Sequence, residues 1–469
     1  MVNSTRKTCD PITSSKKSDN KKINQKLSSK ISQIVEFIWP VKRNELPKFL
    51  FLTLLMFCIL AIQNLIRAIK DSIIITMIGA ETISFLKFWG VMPAAFLITV
   101  IYVKLIGLMR PEKVFYLIIS SFLLFFVFFA FYLFPNHQHI HLNANNINFL
   151  IEQYPHFKWF ILLISNWSFS LFYIIAELWP NAVFALLFWQ FVNKITSIEQ
   201  SKRFYLLFGL FGQTGLIISG FFLQNLKKID DYIISKFNLN TDYDVLSVQL
   251  VIFISLILGL TAIFSFWFIN SKILQKNENS SLEFKIKKSK ITIIDGMKLI
   301  INSYYIRLIT TLLICYGITI NLVEGPWKHL ALSVYSNTTE YASFVGSYLS
   351  YTGFVTITFV VIGSNIIRIF GWCATAIITP VILLITGMLF FGITNFNFIS
   401  IMLLTFFPFS DPLMVAITIG AIQNVLSKSS KYTLFDATKE MSYVPLDDEL
   451  KTKGKAAADM LGTKLGKSL

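Results

Sequence analysis

The chain has 469 residues and a formal net charge of +16, and 54% of its residues are hydrophobic. This apolar fraction exceeds the roughly 45–50% of ordinary soluble domains, and the apolar runs are long enough to cross a bilayer as helices. Strands of a membrane β-barrel would be shorter and would alternate, so that class is excluded. Lys and Arg lie in the tails and in alternate loops, as the positive-inside rule requires, which argues against nucleic-acid binding.

No motif in the sequence predicts a cofactor, a metal ion or a catalytic residue. The four cysteines lack the spacing of a metal or redox site, and the GxxxxGK[ST] loop of a primary ATP-driven pump is absent. The histidine-rich tract 137–141 has no acidic or cysteine cluster beside it. We therefore interpret it as a solvated loop, and we expect the protein to work without a cofactor.

The order of polar and apolar segments predicts the topology. Residues 1–48 are Lys-rich and lack the apolar core of a signal peptide, which predicts a cytoplasmic tail. Loops rich in Lys and Arg alternate with poorer ones, which places the N-terminus and the basic linker 270–297 in the cytoplasm. The predicted spans are 49–69 (with an extension to 78 left open), 84–104, 114–134, 158–192, 204–224, 248–269, 298–321, 341–363, 369–391 and 396–426, with a less apolar segment from 455 onward.

The second part of the chain repeats the first. In both, the fourth span is long and is interrupted by a polar patch with a proline, at 177–180 and at 410–412. Two parallel six-helix halves, 49–269 and 298–469, predict an all-α, major-facilitator-like membrane protein that binds its substrate between the halves. By the same repeat, the sequence is expected to stop after the start of the eleventh helix, which leaves the second half incomplete.

Charged residues inside the first span are the strongest functional signal. Asn64, Arg67 and Asp71 are three to four positions apart, and Lys70 follows Arg67 by three, so they share one face of a helix. A charge inside a span costs roughly 2.5–3.5 kcal/mol and usually marks a substrate or ion pathway. This face predicts an anion-binding site, and the alternative is a charge cluster that snorkels at a helix end.

Two glutamates are further candidates for the site. Glu177 lies well inside the fourth apolar run, although the helix could also end there, with Trp179 as an aromatic belt residue at the interface. Glu324 belongs to the seventh span, at the position that the repeat pairs with the first-span charges. The following Gly325-Pro326 is expected to break this helix and to expose backbone groups to a cavity.

Six segments carry a family resemblance. They are RAIKD at 67–71, AELW at 176–179, FWQFVNKIT at 188–196, FYLLFG at 204–209, LVEGPWK at 322–328 and, most specific, DATKEMSYVPLDDE at 436–449, which continues to 457. Over about 49–469 the chain resembles the ATP/ADP translocases of obligate intracellular bacteria and the related plastid nucleotide transporters.

The resemblance implies an antiporter that imports ATP in exchange for ADP across the bacterial cytoplasmic membrane by alternating access. It implies that Lys70, Glu177, Glu324 and Lys467 bind the substrate, with Gln213 as a weaker candidate. Lysine is a point-charge phosphate binder, which suits a nucleotide with about three to four negative charges. We expect the carrier to be a monomer in the lipid bilayer.

Three alternatives stay open. A paralogue could carry GTP, CTP or UTP, and the chain could also be a nonfunctional remnant. From a different class, it could be a polytopic membrane enzyme that acts on a lipid-linked substrate. Such an enzyme needs paired or metal-binding acids at a membrane face, for which the acidic run at 447–449 is the only candidate. A panel of competing nucleotides, and dependence on a divalent metal, would separate these alternatives.

Overall fold

The structure, a computed structural model, describes residues 41–238, 240–274, 300–395 and 411–443, and the short pieces 445–446, 454–455, 458–459, 462 and 466. The described residues are helical, and seven of their helices are long and apolar enough to span a membrane. The predicted all-α membrane fold is therefore confirmed. The acidic run at 447–449 and the candidate Lys467 lie outside the described residues.

Helix α1 spans Leu46–Met77, so the first predicted span includes its extension toward residue 78. Pro47 lies in the first turn, where a backbone N–H has no hydrogen-bond partner within the helix. Proline, which lacks this N–H, therefore costs nothing at this position. After α1 the chain turns at Gly79, whose φ of +127° is strained for residues with a side chain. Of the membrane-length helices in the described ranges, α1 is the most buried. It therefore forms the centre of its helix group.

Helices α2 (Thr82–Leu108) and α3 (Pro111–Leu133) agree with the predicted spans 84–104 and 114–134 to within a few residues. Pro111 begins α3, again at a position where its missing N–H costs nothing. Two short helices follow, α4 (Ala144–Gln153) and α5 (Lys158–Ser165).

Helix α6 spans Trp167–Ile195 and corrects the prediction for the fourth span. The sequence predicts one run, 158–192, with an interruption near Pro180. The break lies instead at Asn166, where φ is −105° and ψ is 46°. Helix α6 continues through Pro180 as the π-helical segment Pro180–Phe188. Proline removes a helix hydrogen bond and crowds the preceding turn, and the wider π-helical turns accommodate both effects.

Helices α7 (Ile198–Gln224), α8 (Leu226–Phe237) and α9 (Tyr243–Phe268) complete the first helix group, which comprises residues 46–274. A capping box of Ser197 and Gln200 begins α7. Helix α8 is amphipathic and short, and it lies between two spans. The predicted spans 204–224 and 248–269 are contained in α7 and in α9 with its π-helical extension Ile269–Leu274.

Helix α10 spans Tyr304–Leu332 and begins the second helix group, which comprises the described residues 304–395 and 411–442. The predicted break at Gly325-Pro326 is wrong, because α10 continues through Pro326. Directly after the proline, the indole Nε1 of Trp327 donates a hydrogen bond to the carbonyl of Ile417 in the neighbouring helix (2.8 Å). This hydrogen bond, which we call the Trp327 anchor, fixes the direction of α10 at the turn where the proline removes an internal hydrogen bond.

Helices α11 (Thr338–Asn395) and α12 (Pro412–Ser430) complete the second group. Gly371 divides α11 with φ 77° and ψ 179°, a conformation that is essentially reserved for glycine, and so separates two predicted spans. Asp411 caps α12 by accepting from the backbone N–H of Leu413 (3.0 Å). Asp411 and Pro412 of the predicted interruption therefore begin a helix. A π-helical turn and the short helix Asp436–Ser442 continue α12.

The two helix groups approach each other most closely where α7 crosses α11. A methyl group added to Gly220 would lie 2.6 Å from the backbone nitrogen of Ser350, and one added to Gly346 would lie 2.6 Å from the backbone nitrogen of Gln224. Real side-chain carbon atoms do not come this near to backbone atoms, so the crossing needs glycine on both helices. At this crossing the backbones of α7 and α11 are therefore in direct contact.

Beyond this crossing, polar contacts join the two groups at the end of α1, and we call them the latch. Asp244 accepts hydrogen bonds from the backbone N–H groups of Thr338 (3.2 Å) and Thr339 (2.9 Å), and from the Thr339 hydroxyl (2.9 Å). A carboxylate of the first group thereby caps the first turn of α11 in the second. Lys227 and Glu340 form an ion pair across the same boundary (2.7 Å), and the Thr76 and Thr338 hydroxyls lie 3.0 Å apart.

A buried carboxyl group lies behind the latch. Asp230 of α8 is fully buried and accepts a hydrogen bond from Ser247, whose hydroxyl lies 2.8 Å from that of Thr339. Within the described residues, Oδ1 of Asp230 has no hydrogen-bond partner. Burial raises the pKa of Asp230 to about 6, against the hydrogen bond from Ser247, which lowers it. This carboxyl group therefore titrates at a much higher pH than an exposed aspartate.

Candidate functional site

Six buried or half-buried side chains of alternating charge form a continuous chain across the two helix groups, and we call it the charge chain. It begins in the first group, where Lys70 Nζ lies 2.9 Å from Glu177 Oε2 and 2.6 Å from Asp71 Oδ1. Asp71 Oδ2 then lies 2.8 Å from Lys328 Nζ of the second group. Glu324 is the next member of the charge chain, and its Oε1 lies 3.2 Å from Lys328 Nζ. The same oxygen lies 3.4 Å from the Nζ of Lys428, the last member.

The link between Asp71 and Lys328 is the point at which the charge chain crosses from α1 to α10. Both side chains are at most 8% exposed. Asp71 is five residues before Thr76, which places the crossing about 7.5 Å along α1 from the latch. A buried pair that loses one partner leaves an uncompensated charge, at a cost of about 3–5 kcal/mol. Separation of the two groups at this crossing therefore costs more free energy than the breaking of a surface ion pair would.

Buried tryptophans place the two glutamates. Trp179, two residues after Glu177, is 1% exposed and donates from Nε1 to the carbonyl of Ile59 in α1 (3.1 Å). Trp327, three residues after Glu324, makes the equivalent bond to α12. The interpretation of Trp179 as an interfacial belt residue is wrong, because its indole is packed inside the first group. Each glutamate is thus fixed by a neighbouring anchor on the same helix.

Aromatic rings lie against two of the three lysines of the charge chain. Lys70 Nζ lies 3.8 Å from the ring centroid of Tyr173, and Lys428 Nζ lies 4.9 Å from that of Tyr348. Both distances suit a cation–π interaction, which is stronger where the cation is shielded from water. These rings stabilise the ammonium groups without neutralising them.

Two further cations border the charge chain. Arg67, half-buried and one turn before Lys70, and Lys87 of α2 both act electrostatically on Glu177 and Glu324. The charge chain itself is neutral, with three lysines and three carboxylates. Together with these two cations, the site carries two positive charges in excess among the described residues. A surplus of this sign on half-buried side chains favours an anionic ligand.

The structure brings together three of the four main predicted site residues, Lys70, Glu177 and Glu324, with two of the further candidates, Asp71 and Arg67. Asn64 and Gln213 lie on α1 and α7, and among the described residues neither contributes to the charge chain. Lys467 lies outside the described residues. The residue before it, Gly466, packs against α10, where a methyl group on Gly317 would lie 2.5 Å from its carbonyl carbon.

Sequence reasoning missed Lys87, Lys328 and Lys428. Each is a lysine inside an apolar helix, and Lys328 is four residues after Glu324, a spacing that places both on one helix face. The rule that singled out Lys70, a charge within a span, could have found Lys87, which lies in the predicted span 84–104. Lys428 lies two residues beyond the predicted span 396–426 and was for that reason assigned to a basic loop.

Comparison with known proteins agrees with the fold and identifies the family. The model of the TLC ATP/ADP transporter family matches residues 24–469. The chain is 62% identical to ADP,ATP carrier protein 4 of Rickettsia felis over 94% of its length and 87% of the relative. It is 45% identical to ADP,ATP carrier protein 3 of Rickettsia bellii over 93% of its length and 88% of the relative.

Among solved structures, the crystal structure of a D-xylose-proton symporter is similar, with a TM-score of 0.51. The match covers 90% of this chain and 88% of the symporter chain. The two sequences are 12% identical, so this likeness concerns the fold alone, and it agrees with the predicted major-facilitator-like architecture. The family model and the relatives cover nearly all of the chain, including α1, α6, α10 and α12, which supply the charge chain. The protein is thus a multi-pass membrane transporter and a member of the TLC ATP/ADP transporter family.

Proposed function

We propose that the protein exchanges ATP for ADP across a membrane and that Lys70, Glu177, Glu324 and Lys467 belong to the nucleotide site, with the lysines as phosphate ligands and the glutamates as their resident counter-anions. The observation that carries this proposal is the charge chain with its two additional cations. A nucleotide with about three to four negative charges is attracted by this surplus, and lysines bind phosphate as point charges. Two relatives that are named ADP,ATP carrier proteins support the choice of nucleotides.

The carboxylates of the site explain how a strongly charged ligand can both bind and leave. Glu177 and Asp71 are ion-paired with Lys70, so the ammonium group stays charged and ordered inside the protein. A phosphate that enters exchanges one anion for another at the same lysine. The net binding energy is therefore the difference between two ion pairs, which keeps affinity moderate and release fast. Glu177, whose side chain is 31% exposed, is the member that is most open to such replacement.

Alternating access follows from the contacts between the two groups. The latch and the Asp71–Lys328 crossing lie at the same end of α1, so this end is closed when both are formed. Opening it requires the crossing to break, which is costly unless phosphate takes the place of a lost partner. We therefore infer that the loaded carrier reorients faster than the unloaded one, which is the condition for obligate exchange.

Our proposal places the carrier in a bacterial cytoplasmic membrane, with the N-terminal tail and the linker 270–297 inside, as a monomer with two halves at 49–269 and 298–469. The latch then faces the outside. A carrier of other nucleotides is the alternative within transport. The enzyme alternative has no support, because the chain belongs to a family of transporters.

Uptake of labelled ATP into proteoliposomes that contain the purified chain tests the proposal. With ADP trapped inside, uptake should be rapid, and without it uptake should fall to the level of protein-free liposomes. Addition of excess unlabelled GTP, CTP or UTP outside identifies the preferred nucleotide. If ATP uptake is absent with every internal nucleotide, the proposed function is wrong.

The latch provides a second prediction, for the substitution Asp244→Ala. It removes three hydrogen bonds to α11 at once, at about 0.5–1.5 kcal/mol each, and should shift the carrier towards states that are open at this end. Spin labels on Lys228→Cys and Ser336→Cys, which flank the latch, should report a longer average distance by double electron–electron resonance.

The matched control for this experiment is Asp242→Ala. Asp242 caps α9 within the first group, and its carboxylate accepts from the backbone N–H of Asp244 (3.2 Å). Its loss should weaken the start of α9 but leave the distance distribution close to that of the wild type. Equal distributions for Asp244→Ala and the wild type would show that the latch does not hold this end closed.

A further inference from the structure

The last part of the charge chain has a geometry that points to a ligand. Lys328 and Lys428 come from two different helices, yet both ammonium groups contact the same oxygen atom, Oε1 of Glu324, at 3.2 and 3.4 Å. One oxygen that receives two ammonium groups is the arrangement that a phosphate oxygen also makes with paired lysines. The place that Glu324 occupies is therefore chemically suited to an oxygen of a polyphosphate.

Lys428 is the cation of the charge chain with the weakest pairing. Lys70 and Lys328 each contact two carboxylates, at 2.6–3.2 Å, whereas within the described residues Lys428 has one such contact, at 3.4 Å. Its side chain is only 8% exposed. A buried ammonium group with one long ion pair is poorly compensated for its lost hydration. An anionic ligand would supply the missing compensation.

The backbone that carries Lys428 is fixed independently of Glu324. Ser429 donates to the carbonyl of Thr352 (3.2 Å) and accepts from the Thr356 hydroxyl (3.0 Å), which ties α12 to α11. Two turns earlier, Gly420 packs against the Trp327 indole, where an added methyl group would lie 2.1 Å from a ring carbon. Lys428 therefore keeps its position when the Glu324 carboxylate moves away.

We propose that Lys328 and Lys428 form a second phosphate-binding pair, contributed by the second helix group, and that Glu324 is the resident anion that a nucleotide phosphate displaces. The inference rests on the proposed nucleotide transport and deepens it. Lys70 holds phosphate from the side of the first group, and Lys328 and Lys428 hold it from the side of the second. The polyphosphate thereby joins the two groups in the loaded carrier.

The proposal predicts opposite changes in affinity for two neighbouring residues. Lys428→Gln removes a ligand of the phosphate, so ATP and ADP should bind about 10- to 100-fold more weakly, as expected for a lost hydrogen bond to a charged group. Glu324→Gln removes the competing anion, so both nucleotides should bind more tightly, by roughly tenfold. Equilibrium binding of labelled ATP and ADP to the full-length carrier in detergent measures both changes.

The matched control is Lys431→Gln. Lys431 is three residues after Lys428, is paired with Asp436 at 3.1 Å and is 28% exposed, and its replacement should leave nucleotide affinity unchanged. The conservative variant Lys428→Arg keeps the charge and should stay within about threefold of the wild type. If Lys428→Gln does not fold, Glu324→Gln decides, because a merely structural glutamate would not tighten binding when it is lost.

The outcomes separate this inference from the function beneath it. If the wild type binds and exchanges nucleotides but Lys428→Gln matches Lys431→Gln, the second phosphate-binding pair does not exist. Weaker binding by Glu324→Gln would equally overturn the displacement of the carboxylate. If the wild type neither binds nor exchanges any nucleotide, the proposed function itself fails, and the pair fails with it.

Discussion

Replacement of Lys70 by alanine is expected to lower the rate of nucleotide exchange by about 100-fold, because it removes a phosphate ligand, and a hydrogen bond to a charged group contributes about 1.5–3 kcal/mol. Lys70 is 3% exposed, contacts Glu177 and Asp71, and lies over the ring of Tyr173. Its loss leaves two carboxylates without this ammonium group, and they would repel an incoming phosphate. The measurement is ATP uptake into proteoliposomes that contain saturating ADP.

The protein should stay folded in this variant, because α1 is held by apolar residues along its whole length. Thermal unfolding in detergent would verify this. Lys194→Ala is the matched control, since Lys194 belongs to the same helix group but forms a half-exposed pair with Glu112 at 3.6 Å. Exposed pairs contribute about 1 kcal/mol or less, so this variant should exchange nucleotides like the wild type. Wild-type exchange by Lys70→Ala would remove Lys70 from the site.

The sequence was sufficient to predict the helical spans and part of the site, for a physical reason. A membrane core selects runs of about 20 apolar residues, so hydropathy alone finds them, and a charge inside such a run has few structural explanations. This is why Lys70, Glu177 and Glu324 could be named before any contact was known. The charges of α1 are also local, since Arg67, Lys70 and Asp71 follow one another within two turns.

The partners of these charges could not be predicted, because they depend on which helix faces meet. Lys428 reaches Glu324 across 104 residues, and Lys328 reaches Asp71 across 257. Hydropathy treats each span separately and does not orient its faces. Without that orientation, Lys428 was interpreted as one more basic residue of a loop. Lys328 was recognised only as the last residue of the segment 322–328.

The two prolines show a different limit of sequence reasoning. Pro180 and Pro326 were both expected to break their helices, and both helices continue. The cost of an internal proline depends on whether the freed carbonyl and the crowded ring find another arrangement. At Pro180 a π-helical segment provides it, and beside Pro326 the Trp327 anchor holds the helix against α12. Neither compensation is visible in the residues around the proline.

Replacement of Asp71 by asparagine is expected to loosen the coupling between import and export. Asp71 carries the contact by which the charge chain crosses between the helix groups, to Lys328 at 2.8 Å. The amide keeps the shape but loses the charge, while Lys70 retains Glu177 and Lys328 retains Glu324. The unloaded carrier should then open at the latch end more easily. Uptake of ATP without internal ADP should rise by about tenfold, if the crossing is weakened by about 1.4 kcal/mol.

The control for this prediction is an exposed polar contact between the same helix groups. Glu81 and His329 lie 3.0 Å apart, but both are exposed, by 45% and 59%. Water already solvates this pair, so Glu81→Gln should leave exchange strictly dependent on internal ADP. If Asp71→Asn also keeps that dependence while it exchanges nucleotides, the buried crossing does not restrain the unloaded carrier. If net uptake appears in Asp71→Asn alone, the burial of the crossing, and not its position between the groups, is what makes exchange obligatory.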